Sequence, residues 1–440
     1  MSSLRKILIK TEGWPGLIGQ VFGVILVGVL LLNWYLWLPK IIYIFYLGGF
    51  LVIYNYWYKW LDSRWVEIMI ESLIGGSNFV TVYLKPHLDN AQSLASMEAF
   101  FQNFHAIHSK KSMKNAYFEG VWYRSMSFEV HSIGGKIGFF ARMFESDLDL
   151  FKSALLAQYP QVEVVKCEDP LGYLPKKWVE DEGVLDFKNS LGVDFVLTDS
   201  NDMFPTKNWN MLQPDGFKVK VDPIQSLITA FESCEVGEHL ILQFILRPNI
   251  DMNWNKQKQK EVEDLKKEFA TNSDVEATKY GTMALTREEQ NVIQAVQGKV
   301  FTGALYETKI RFLALSPHKS VGKYLSYPAN FFKQLTFING YKPDADTKTS
   351  QSSIWLPILD RLYWDYEKVH RQKRIYYAVR SRDFSASGKP HMQTSDALAA
   401  MIHFPLQTEV NQDLLLRVGS NFGNTLSNTP KGQIPQNLPV

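Results

Sequence analysis

The sequence predicts an α+β protein: an N-terminal two-helix transmembrane hairpin, then two ferredoxin-like units of strand–helix–strand–strand–helix–strand order, the second with a helical insertion. Three observations predict it. Between Gly13 and Tyr58, 46 residues carry one formal charge, Lys40. Downstream, short β-branched and aromatic runs alternate with segments whose apolar residues recur every three or four positions. That alternation occurs twice in one order, the split βαβ arrangement. A chain of 440 residues is long enough to bury a core in each unit.

Gly16 to Leu38 and Ile41 to Tyr58 are the uncharged runs of the hairpin. As helices they reach about 35 and 27 Å, close to the roughly 30 Å hydrocarbon core. Pro39-Lys40 supplies the turn, and Trp34, Tyr35, Trp37, Tyr54, Tyr56, Trp57 and Tyr58 cluster where helices meet headgroups. Arg5, Lys6 and Lys10 before the spans and Lys59 and Arg64 after them place both termini on the cytoplasmic side of the membrane. The expected division is 1–72 hairpin and amphipathic connector, 73–170 first unit, 190–405 second unit and 406–440 disordered tail, the last rich in Asn, Gln, Pro, Gly and Ser.

In the first unit, Phe79 to Leu84 reads as a strand, and Ser93 to His108 as a helix with Leu94, Met97, Phe100, Phe101 and Phe104 on one face. Gly134-Gly135 joins two alternating runs, a hairpin turn in which both central residues need positive φ. A helix over Glu145 to Tyr159 and a strand over Val162 to Val165 complete the unit.

The second begins with a strand at Val193 to Leu197. Asp222-Pro223 opens a helix, an N-cap followed by proline in the first turn. Glu238 to Leu246 is nearly all apolar and reads as a central strand. Asp251 to Asn272 is a charged insertion, Leu285 to Gln297 opens on a capping box, and Tyr306 to Leu315 is a strand. Val321 to Leu335 reads as a helix that Pro328 breaks or kinks, Asn339-Gly340 as a turn, and Arg374 to Val379 as the last strand.

Forty-seven basic against 45 acidic residues give no global field pointing to nucleic acid. None of the four Gly-Lys dipeptides continues into the serine or threonine of a phosphate loop. No nucleophile elbow occurs, Cys167 and Cys234 are too distant for a disulfide framework, and His87, His105 and His108 lack the other ligands of a metal site. The sequence therefore predicts no enzyme, cofactor or metal. The one nucleic-acid candidate is the stretch from Lys368 to Arg382, with Lys368, Arg371, Lys373, Arg374, Arg380 and Arg382 interleaved with Tyr376 and Tyr377. A solvated amphipathic face is the favoured reading of those charges.

Several blocks resemble a known family. Asp222-Pro223-Ile224, Gly237-Glu238, Gln243-Phe244 and Arg247-Pro248 are similar to a "DPL…GEQ…QI…RP" pattern. Leu285 to Gln290, Phe331 to Pro343 and the first-half stretches Ser96 to Ile107 and Phe128 to Tyr159 match too, and Ser395 to Pro405 resembles a "TEELATLFHFP" segment. The pattern belongs to the membrane-tethered N-terminal region of conjugation or type IV secretion-type proteins (TraC/TraG and HerA-like) of candidate-phylum bacteria. In relatives carrying an ATPase, the HFP segment precedes the motor; here a polar stretch follows it. The resemblance implies a scaffold, cytoplasm-facing at the inner membrane, that docks a separately encoded hexameric ATPase. Its expected partners are the bilayer, that ATPase or other secretion components, and further copies of the chain. A membrane-tethered nucleic-acid-binding module is the alternative.

Overall fold

The computed structural model describes residues 57, 79–87, 92–107, 125–172, 174, 190–212, 222–249, 252–272, 287–301, 304–317, 321–344, 371–384 and 389–405. Apart from Trp57, the hairpin lies outside them, as does the stretch beyond residue 405. No helix of the described residues is long and apolar enough to cross a membrane.

Among the described residues, nine strands form one antiparallel sheet: β1 (Phe79–Lys85), β2 (Met126–Ile133), β3 (Lys136–Phe144), β4 (Glu163–Cys167), β5 (Ser190–Leu197), β6 (His239–Pro248), β7 (Leu305–Leu315), β8 (Tyr341–Pro343) and β9 (His391–Thr394). Their order is β4-β1-β3-β2-β6-β7-β5-β8, with β9 pairing onto β7. The first four strands and the next four thus trace one pattern twice, joined where β2 meets β6. That junction is a full antiparallel ladder, from Met126 opposite Leu246 to Ile133 opposite His239. All nine strands lie in one compact unit, residues 76–112 and 121–440.

Strict alternation along the strands sorts side chains to two faces. On one face Leu240, Leu242, Phe244 and Leu246 of β6 join Phe128 and Val130 of β2 and Ile310 and Phe312 of β7 in the main core. Five helices cover it: α1 (Leu94–Phe104), α2 (Leu148–Gln158), α4 (Pro223–Glu232), α7 (Ser326–Gln334) and α9 (Ser395–Met401). Phe100 of α1 packs edge-on against Phe101, Phe128 and Phe151 and is fully buried. Between β5 and α4 lies a one-turn helix, α3 (Trp209–Leu212). The charged insertion is a helix, α5 (Met252–Asn272), packed on α6 (Arg287–Val300) through Val262, Val296 and Val300.

Local chemistry follows the sequence closely at the turns. Gly134 and Gly135 have φ of 55° and 83°, and a Cβ on Gly135 would stand 2.8 Å from the Glu232 carbonyl oxygen. Glycine thus serves both the turn and its docking on the end of α4, where Ser132 Oγ donates to the Phe231 oxygen at 2.7 Å. The Asp222 side chain accepts from the Ile224 amide at the start of α4, with Pro223 in the first turn.

Two expectations are corrected. Arg374 to Val379 is not a strand but part of a helix, α8, residues 371–381. Its aromatic and β-branched residues suit strands, but burial falls at 371, 372, 375, 376, 378, 379 and 382, a helical period. The fourth strand of the second half is instead the short β8, directly after Asn339-Gly340. Pro328 does not break α7: it sits in the helix's first turn, where no intrahelical amide is needed, after a 3₁₀ turn at Gly322–Leu325.

Candidate functional site

The second face of the sheet carries a polar row. Glu129 of β2 stands opposite Gln243 of β6, Gln243 opposite Arg311 of β7, and Arg311 opposite Asp194 of β5. Four neighbouring strands from both halves thus place a polar side chain at one level, and all four residues are buried. What buries them is α8 and the turn after it.

α8 rests on the sheet through Ile375, Tyr376 and Val379, which cluster with Ile241, Leu313, Leu315, Leu171 and Leu174. Gly192 of β5 makes the approach possible, since a Cβ there would lie 2.2 Å from Ile375 Cγ2. The C-terminal carbonyls of the helix then meet the row. Gln243 Nε2 donates to the Val379 oxygen at 3.0 Å, and Arg311 Nη1 donates to the Ala378 oxygen at 3.1 Å and to that of Asp383. Arg311 Nε lies 3.3 Å from Asp194 Oδ1. Helix ends leave such carbonyls outside the regular helical ladder, and here the sheet adds donors to those of the local cap.

Arg382 closes the helix in the left-handed region, φ 52°. The Asp383 amide donates to the Ala378 oxygen and the Arg382 amide to that of Val379, the two bonds of a Schellman cap. Glycine is the usual residue there; an arginine costs about 1 kcal/mol of backbone energy. Its side chain offsets that cost with two bidentate contacts. Nε and Nη2 donate to Glu129 Oε1 and Oε2 at 2.7 and 3.0 Å, and Nη1 and Nη2 to Asp169 Oδ2 and Oδ1 at 2.6 and 2.7 Å. Arg142 also donates to Asp169. Phe384 slides under Arg247, whose guanidinium carbon lies 3.9 Å from the ring centroid.

Burial alone would raise the Glu129 carboxyl, but Arg382, with hydrogen bonds from His131 and Arg382, holds it well below the usual carboxylate range. Asp169 is lowered likewise: Arg382 and Arg142 outweigh its burial. Neither carboxylate is poised to exchange a proton near neutral pH, and Ser127 Oγ is committed to Glu129 as a donor at 2.7 Å. Burial, then neighbouring Arg311, push the Lys309 amine down to about 8. Charge-assisted contacts between elements are what this arrangement provides.

Of the six basic residues picked from sequence, Lys368 lies outside the described residues. Arg371 and Arg382 are buried, Lys373 and Arg380 half-buried, and Arg374 exposed. The structure puts Arg382 into the ionic cluster and Arg374 on the outer surface of α8 beside exposed Tyr377. Sequence reasoning missed Glu129, Asp169, Asp194, Gln243 and Arg311. A signal existed: Glu129-Val130, Asp194-Phe195, Gln243-Phe244 and Arg311-Phe312 each set a polar residue before an apolar one in mid-strand. His105 packs at a helix edge on β7, its Nε2 3.0 Å from the Leu305 oxygen. Among the described residues, no group of three His, Cys, Asp or Glu could hold a metal. The core holds a small apolar cavity of about 20 Å³, lined by Met97, Phe128, Val130, Phe139, Ile224 and Met401, room for a single water.

Blocks that stood far apart in sequence meet on the helical side. His403 Nε2 lies 2.7 Å from Asp222 Oδ1, and Nδ1 lies 3.0 Å from the Ala399 oxygen. Phe404 packs on Phe139 and Tyr159. Glu238, also buried, accepts from Ser316 Oγ at 2.7 Å, from the Glu235 amide at 2.9 Å and from the Tyr324 hydroxyl. A family model described as "Domain of unknown function (DUF8128)" matches residues 69–415. The chain belongs to this family. The DUF8128 match spans the whole sheet, the polar row and α8. Comparison with curated proteins finds no match.

Proposed function

We propose that the chain is a membrane-anchored scaffold, facing the cytoplasm, of a type IV secretion or conjugation-like apparatus, and that it docks a separately encoded ATPase. In this reading its two halves are ferredoxin-like units fused edge to edge through β2 and β6, the second enlarged by α5 and α6. The hairpin predicted before residue 72 holds the platform at the inner membrane with both termini cytoplasmic.

One observation carries the proposal. The His403-Phe404-Pro405 segment, which resembles the stretch preceding the motor in ATPase-bearing proteins, is fastened into the core by His403 on Asp222 and by Phe404 on Phe139 and Tyr159. A motor held next to this segment would be mechanically coupled to the sheet. The buried charges of the polar row support a structural role as well, being engaged with one another and with α8. Purification of the tagged full-length protein from membranes in mild detergent tests the proposal. Retention of a nucleotide-hydrolysing partner is expected; a preparation free of any ATPase contradicts it.

A second reading rests on the outer surface of α8, where Arg374 and Tyr377 are exposed and Lys373 and Arg380 half-exposed. Such a surface suits a nucleic-acid backbone and a stacked base. It requires DNA binding that falls steeply with salt and weakens in Arg374→Ala. Salt-independent or absent binding removes it.

A further inference from the structure

We propose that residues 371–384 form a strap that undocks from the sheet as one unit while the strands beneath stay paired. The inference is independent of the scaffold reading and rests on how the strap is held. No strand pairing involves it: its backbone is caught by side chains of the sheet, Gln243 on Val379 and Arg311 on Ala378 and Asp383, and its own Gln372 Nε2 donates to the Ser190 oxygen at 2.9 Å. Its apolar contact is narrow, three side chains on Ile241, Leu313, Leu315 and the neighbouring Leu171 and Leu174.

The decisive point is what the sheet retains when the strap leaves. Stranding a buried charge is the usual barrier to opening an ionic contact. Here Glu129, Asp169, Asp194 and Arg247 each keep a partner on the sheet side. Glu129 keeps Ser127 Oγ at 2.7 Å, His131 Nε2 at 2.9 Å and Gln243 Nε2 at 3.2 Å. Asp169 keeps Arg142, Asp194 keeps Arg311, and Arg247 keeps Glu307 at 3.3 Å. Gln243 and Arg311 give up the strap's carbonyls, and Arg382 gives up both carboxylates, leaving for water while releasing its left-handed backbone. The bare surface is a polar row flanked by Ile241, Leu313 and Leu315, matched to the carbonyl end of an amphipathic helix. The strap therefore regulates access to that row, and a partner helix of the same design would compete with it.

Native-state hydrogen exchange of the full-length protein, read by mass spectrometry, tests the strap. Peptides covering 371–381 exchange about a hundredfold faster than those of β6 and β7, because they open without global unfolding. Arg382→Ala speeds the strap about tenfold further and leaves β6 and β7 unchanged. A single shared exchange rate for strap and strands in the wild-type protein overturns the proposal, as does equal acceleration of both in the variant.

Discussion

On one face of the sheet, five helices bury phenylalanines and leucines against strands of both halves. On the other, among the described residues, α8 alone is positioned by Gln243, Arg311 and the Arg382–Glu129–Asp169 cluster. The difference teaches where stability and where specificity reside. Apolar burial is non-directional and large, and the helical face supplies most of the driving force for folding. Buried ion pairs add little net stability because desolvation offsets attraction, but they define one geometry. Arg382 meets two carboxylates only when α8 ends at one place, so the polar face sets the position of the helix.

The largest effect is expected on the helical face. Phe100→Ala, losing contacts with four other rings, destabilises by about 4 kcal/mol in urea titration. Next comes Gly192→Ala, which puts a methyl group where Ile375 sits. It costs about 2 kcal/mol. Adding Ile375→Ala recovers part of that loss, whereas Phe100→Ala has no such compensating partner on the strap.

Acid sharpens the contrast further. The folded-state carboxyls of Glu129 and Asp169 are lowered from ordinary values of 4.5 and 3.8. The unfolded chain therefore takes up protons first, so their contribution is complete above about pH 4.5 and is lost as pH falls through the lower folded values. Unfolding free energies from urea titration should fall by on the order of 1–2 kcal/mol below that range, and less in Glu129→Gln. The smallest effect comes from a buried cation, whose removal stabilises. Lys309 is buried near Arg311 and its amine is pushed down to about 8, from 10.5. Between those values the unfolded chain holds the extra proton, so stability rises with pH. Lys309→Met stabilises by roughly 1 kcal/mol at neutral pH and flattens that rise in thermal melts.

The elements legible in the sequence are those whose signal is local. The paired glycines at 134 and 135, the Asp222-Pro223 helix start and the phenylalanine stripe of α1 all form as read. The order of elements in the first half followed from them. Pairing between the halves was not legible, because Met126 and Leu246 are brought together by a ladder between strands over a hundred residues apart. β8, three residues that follow Gly340 and end on Pro343, is too short to show a period. α8 was misread because Ile375, Tyr376, Tyr377 and Val379 favour strands locally, and only its contact with Gly192 and the polar row makes the helical period visible. The row itself was hidden: a polar residue within a strand carries no meaning until the register aligns it with those of its neighbours.

The central claim is that Arg382 and Glu129 act together to position α8. A double-mutant cycle with Arg382→Ala, Glu129→Gln and the pair, read by urea denaturation of the full-length protein, tests it directly. The account predicts a coupling of about 2 kcal/mol between the two residues. Effects that add to within about 0.5 kcal/mol would contradict it.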